Sequence, residues 1–199
     1  MGRNEKTPWF ESKNSRTAGT YVVALLVTTS VTLFFFGRRF WCPLEDVAFS
    51  AWDVSSAHLS QHLLDPYSFT HFEHGLLFFA GLYLLFPKKS LGWRLLAAIT
   101  LASGWEVLEN SSWIIDKYRA QTVDAGYYGD SIANAISDIV WCAAGFWFAA
   151  RFRFWWSLAL ILIFETGLAL AIRDNLFLNL LMLTFPLEVV FEWQKARPP

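Results

Sequence analysis

The sequence predicts an all-α integral membrane bundle of about six transmembrane helices, with the N- and C-termini cytoplasmic. Three observations carry that expectation. Of 199 residues, 55% are hydrophobic and only 17% are charged, whereas a soluble domain runs about 45–50% apolar and about a quarter charged. The apolar residues gather into long segments that approach the roughly 20 residues needed to cross a bilayer. Lysine and arginine divide unevenly between the loops that those segments leave.

A polar tail, residues 1–19, precedes the first span, about 20–36, TYVVALLVTTSVTLFFF. GRRFWC follows it in place of a small-residue cleavage site, so the segment reads as a helix and not as a signal peptide. The second span, about 66–86, opens at DPYS, where Asp65 can cap and Pro66 suits the first helical position. PKK ends it. The third, fourth and fifth spans cover about 91–115, 130–150 and 154–172. The sixth, about 176–193, contains Pro186, which predicts a kink. Residues 20–193 thus form one membrane domain, and 194–199 a short C-terminal tail. With the N-terminus inside, eleven lysines and arginines fall on the inner side and five on the outer, the asymmetry expected of cytoplasmic termini. Trp41, Trp52, Trp93, Trp113, Trp155 and Trp193 lie near span ends, where an interfacial belt puts them.

The net charge of −1 leaves no basic footprint for nucleic acid, so membrane lipids are the expected partners. Cys42 and Cys142 form no C-x-x-C pair and sit at different depths, which predicts two unbridged thiols.

All four histidines, His58, His62, His71 and His74, lie within seventeen residues at the start of the second span. At 1.5 Å per residue His71 and His74 are roughly 8 and 12 Å deep, Glu109 and Glu106 roughly 9 and 14 Å, and Asn134 and Asp138 roughly 6 and 12 Å. The pairs are spaced by three or four residues, so each set shares one helical face. Charged groups in a bilayer turn inward and find partners. Three consecutive helices therefore point their polar faces at one another in the outer leaflet. Glu165, Arg173 and Asn179 extend this layer, and His58 and His62 stand at its mouth. Glu73, on another face, is expected near lipid headgroups.

Imidazoles and carboxylates so arranged are metal ligands, and a divalent metal is the candidate cofactor. In that reading His71, His74 and Glu109 are the ligands and Glu106 or Asp138 is the general base. Arg173, Asn134, Asp130, His58 and His62 bind substrate, with Arg173 orienting a phosphate. The chemistry is metal-assisted hydrolysis or transfer on an envelope lipid or its phosphate. The alternative is a non-enzymatic assembly or lipid-binding protein whose polar layer fixes helix packing. A proton-coupled carrier is a third reading, which requires ionisable groups through the inner leaflet as well. GDSIA, residues 129–133, is similar to a lipase nucleophile motif, but at a helix start Asp130 reads more simply as an N-cap.

SQHLLDPYSFTHFEHG, GWEVLENS, YYGDSIANAISDI and IRDNLFLNLLML, in that order over residues 37 to 193, together closely resemble a bacterial family of small multi-pass inner-membrane proteins of unknown function. The resemblance implies a plasma-membrane protein and no particular reaction. A fainter likeness, carried by His71 in HGLLFF and by Asp130, Asn134, Asp138 and Gly145, is to VanZ-like membrane proteins. That group is associated with glycopeptide resistance at the cell envelope. WEVLEN and the paired histidines depart from its pattern.

Overall fold

A computed structural model describes residues 12–44, 47–121 and 126–196. Its helices are α1 (Ser12–Phe35), α2 (Ser68–Leu85), α3 (Leu91–Glu109), α4 (Ser112–Gln121), α5 (Ile132–Arg151), α6 (Phe154–Ile172), α7 (Leu176–Thr184) and α8 (Glu188–Lys195). Among the described residues the sole extended pairing is a single bridge, Ser50 to Leu64. The all-α class holds.

The count of spans differs from the expected six. Three helices are long and apolar enough to cross a membrane: α1 over Thr17–Phe35, α5 and α6. α2 and α3 fall short because His71, Glu73 and His74 in one, and Arg94, Glu106 and Glu109 in the other, dilute their apolar runs. The expected third span also stops early. Asn110 caps α3 and bonds back to the Glu106 carbonyl, and the chain restarts as the separate α4. Pro186 does more than kink the last segment. It lies in a break between α7 and α8, nine and eight residues long, because proline cannot donate the N–H that a continuous helix needs there. At the other end α1 begins at Ser12, inside the segment read as a tail. Residues 1–11 and 197–199 lie outside the described residues.

Two helix starts are also built differently from expectation. Asp65 accepts from the backbone N–H of Tyr67 (2.8 Å) and Ser68 (3.1 Å), so it shapes the turn ahead of α2, whose N-cap position is Tyr67. At α5 the cap is Ser131, whose Oγ accepts from Asn134 N at 3.0 Å. Asp130 is not the cap.

α2 and α5 form the central pair. Gly75 lies against the backbone of Cys142 and Phe146, and Gly145 lies against the Phe72 carbonyl. At both places a side chain would block the approach, the small-residue contact by which helices associate in lipid. α3 packs on α5 through Ile99, Ala102, Ile139 and Cys142. Leu82, Ala98 and Phe146 close the far end of the bundle. α6 turns Leu162, Ile163 and Leu170 outward, as a lipid-facing helix does.

Candidate functional site

α2, α3 and α5 each bring one acidic or imidazole group to a common point near the loop end of the bundle. His71 lies one turn into α2, Glu106 one turn from the end of α3, and Asp138 two turns into α5. All three are buried, Glu106 completely. His71 Nδ1 is 3.3 Å from Glu106 Oε1, and His71 Nε2 is 3.9 Å from Asp138 Oδ2. The first contact is close enough for an ion pair but not aligned as a hydrogen bond, so both Glu106 oxygens lack a hydrogen-bond partner. Ser68 Oγ donates to Asp138 Oδ1 at 3.4 Å. One ligand atom each from His71, Glu106 and Asp138 lies within 4.8 Å of the other two.

A second acidic group shares Glu106. Its other members are Glu109 and Asp130, again with ligand atoms within 4.8 Å. The Tyr118 hydroxyl is 2.9 Å from both Glu109 Oε1 and Asn179 Oδ1. Asp130 is held on three sides. Its Oδ2 accepts from Asn110 Nδ2 at 2.6 Å, its Oδ1 accepts from Tyr127 Oη at 2.8 Å, and its own N–H donates to Asn110 Oδ1 at 2.8 Å. The end of α3 is thereby bound to the start of α5. Beside these groups lies a cavity with about 50 Å³ of space for water, lined by His71, His74, Glu109, Tyr118, Asp130 and Asp138. A buried water needs on the order of 10–15 Å³ measured this way, so an ion and a few waters fit.

The loop before α2 forms one wall of this cavity. Ser60 adopts a left-handed backbone, φ 57°, and its N–H donates to Asp65 Oδ2 at 3.2 Å while its carbonyl accepts from Ser131 N at 2.9 Å. Burial, then the charge of Asp130, pushes the Asp65 carboxyl up to about 6 from its ordinary 3.8, against three backbone N–H groups that act to lower it.

Other expected site residues lie elsewhere. His74 packs between Phe78 and Trp105, with centroids 5.8 and 6.0 Å away, and meets His71 edge-on at 5.4 Å. It lines the cavity but is not in either ligand group. Asn134 turns to the loop, donating to the His62 carbonyl at 2.8 Å. Arg173 donates to the Trp193 carbonyl at 2.7 Å and lies over that indole; it anchors α8 and does not line the cavity. Glu165 ties α6 to α7 through Asn175 and Phe177. Glu73 is buried beside Glu165, not placed at headgroups, because α6 covers that face of α2. His62 is fully buried and stacks on His58. Ser131 of the GDSIA block donates its hydroxyl to the Gln61 carbonyl.

The chain matches DUF2585, described as "Protein of unknown function (DUF2585)", over residues 33–196. It belongs to that family. UPF0314 proteins are its relatives. One from Paracoccus denitrificans is 43% identical over 172 residues, covering 86% of this chain and 89% of the relative. One from Sphingopyxis alaskensis is 42% identical over 180 residues, 90% and 96%, and one from Novosphingobium aromaticivorans is 44% identical over 163 residues, 79% and 82%. No solved structure matches the chain. The likeness to an uncharacterised bacterial family is thus shown, while the fainter VanZ-like likeness rests on its five residues alone.

In this DUF2585 member, reading the sequence misses Asn110, Tyr118 and Tyr127. Asn110 was detectable, since it continues the Glu106 face by four residues. The two tyrosines carry no periodic signal, because they reach the site from α4 and from the loop before α5.

Proposed function

We propose that the protein is a bacterial inner-membrane protein that holds a divalent cation between His71, Glu106 and Asp138. The ion would serve hydrolysis or group transfer on an envelope lipid or its phosphate. The observation that carries the reading is Glu106, completely buried with both oxygens lacking hydrogen-bond partners. A buried charge is tolerated when it is paired or coordinates a metal. Among the described residues no lysine or arginine is ion-paired with Glu106 or Asp138. Two carboxylates with one imidazole suit an oxygen-preferring ion such as Mn²⁺ or Fe²⁺.

The ligand set differs from that expected from sequence: Glu106 and Asp138 replace His74 and Glu109. Glu109, held by Tyr118, would accept the proton of an attacking water. Water would attack the phosphorus, the bond to the leaving alcohol would break, and the alcohol oxygen would take up a proton. With Arg173 turned to Trp193, the ion itself would offset the headgroup charge.

A second reading is favoured by the hydrogen bonds of Asp130, Asn110 and Tyr127, which lock α3 to α5 with no ion involved. The polar layer is then structural. Mn²⁺ titration of the detergent-purified full-length protein, read by paramagnetic resonance and elemental analysis, separates the two. The metal reading expects tight Mn²⁺ binding that falls at least tenfold in Glu106→Gln and Asp138→Asn. No saturable Mn²⁺ binding by the wild type, together with unfolding of the same variants at lower temperature, would establish the structural reading.

A further inference from the structure

Cys42, His58 and His62 form a separate cluster in the loop between α1 and α2. Cys42 Sγ is 3.5 Å from His58 Nδ1, and His58 Nδ1 is 3.4 Å from His62 Nε2. Ligand atoms of all three lie within 4.8 Å of one another. Tetrahedral zinc, with Zn–S about 2.3 Å and Zn–N about 2.0–2.1 Å, places its S and N ligands roughly 3.5 Å apart and its two N ligands roughly 3.3–3.4 Å apart. Both observed separations fit.

The surroundings hold the ligands in place. His62 stacks on His58 with centroids 5.6 Å apart, and Trp41 meets the His62 ring edge-on at 5.7 Å. The His62 carbonyl is fixed to α5 by Asn134. Cys42 and His62 are buried while His58 is half-exposed, so an ion can reach the ligands from solvent. Both cysteines of the chain are unbridged.

We infer that Cys42, His58 and His62 bind a zinc ion, with a fourth position left to water or another ligand. A thiolate and two imidazoles are borderline-soft donors, which favour zinc over the oxygen-preferring ion proposed for Glu106. Binding requires the Cys42 thiol to lose its proton to solvent, so affinity rises with pH. The ion would join the start of this loop to His58 and His62. Ser60 and Gln61 between those histidines bond to Ser131 and Gly129, so it would brace the cavity wall beside α5. The inference does not depend on the cation at Glu106.

The test is Co²⁺ titration of metal-free, full-length protein in detergent, followed by absorption. A thiolate-to-cobalt charge-transfer band is expected in the near ultraviolet, with tetrahedral d–d bands at longer wavelength. Zn²⁺ should displace both. Cys42→Ser should abolish the charge-transfer band, and His58→Ala and His62→Ala should each weaken binding at least tenfold. Cys142→Ser and Glu106→Gln should leave the band intact, which separates this site from the one under α3. Absence of the band in the wild type at saturating Co²⁺, or its persistence in Cys42→Ser, would overturn the inference. The wild-type titration decides even where a variant fails to fold.

Discussion

Substituting alanine at Gly75 or Gly145 perturbs the helix contact that sets the distances in the centre. A Cβ at Gly75 would sit 2.5 Å from Phe146 N and nearer still to the Cys142 carbonyl oxygen; one at Gly145 would sit 2.9 Å from the Phe72 carbonyl carbon. Real Cβ contacts stay beyond 3.0 Å and the obstacles are backbone, so the close approaches to the Cys142 and Phe72 carbonyl oxygens require α2 and α5 to separate by about an ångström. Overpacking of this kind costs about 1–3 kcal/mol. His71 is one turn from Gly75, and its 3.9 Å separation from Asp138 spans the same two helices, so the opening lengthens that gap directly. The assay is thermal unfolding in detergent together with Mn²⁺ binding. Both are expected to fall in Gly75→Ala and Gly145→Ala. Gly81→Ala, on the same helix with nothing within 4 Å of the added carbon, should unfold no lower than wild type, since alanine is favoured over glycine in a helix by roughly 0.5–1 kcal/mol. Wild-type stability in Gly75→Ala would refute the close approach itself. Lost stability with undiminished Mn²⁺ binding would refute its link to the centre.

Asp65 predicts how stability depends on pH in metal-free protein. Its carboxyl holds a proton more tightly when folded, at about 6 against an ordinary 3.8, so its stabilising contribution is complete below the ordinary value and is lost as pH rises through about 6. The difference is on the order of 3 kcal/mol; unfolding temperatures measured across that window should fall with rising pH, and Asp65→Asn should flatten the slope. Ser131→Ala removes the α5 cap and leaves the buried Gln61 carbonyl without its hydroxyl donor. About 1–2 kcal/mol of stability should go with it in denaturant unfolding.

Helix identity was legible where apolar runs are long, as in α1, α5 and α6. Boundaries were lost where one polar side chain decides them. Asn110 ends α3 by bonding back to Glu106, and Ser131 takes the cap at α5 because Asp130 is occupied by Asn110 and Tyr127. Spacing predicted that His71, Glu106 and Asp138 share one polar layer, and their ligand atoms lie within 4.8 Å of one another. It could not rank them against His74 and Asn134. That choice depends on rotation about the helix axis, which Phe78 and Trp105 fix for His74 and the His62 carbonyl fixes for Asn134. Arg173 shows the same limit. Its backbone is left-handed, φ 52°, and that turn sends the guanidinium to α8, which no periodicity announces.

Helices surrounded by lipid have little hydrophobic drive to associate and rely on close packing and polar contacts. α2 and α5 use both, at opposite ends of one interface. Gly75 and Gly145 bring the backbones together, and beyond them Ser68 meets Asp138 while Asn134 and Ser137 reach the carbonyls of His62 and Leu63. Glu106 enters this interface from a third helix with neither carboxylate oxygen hydrogen-bonded. A buried carboxyl without a hydrogen-bond partner opposes the packing that surrounds it. The cation proposed between His71, Glu106 and Asp138 would make it a cross-link among α2, α3 and α5.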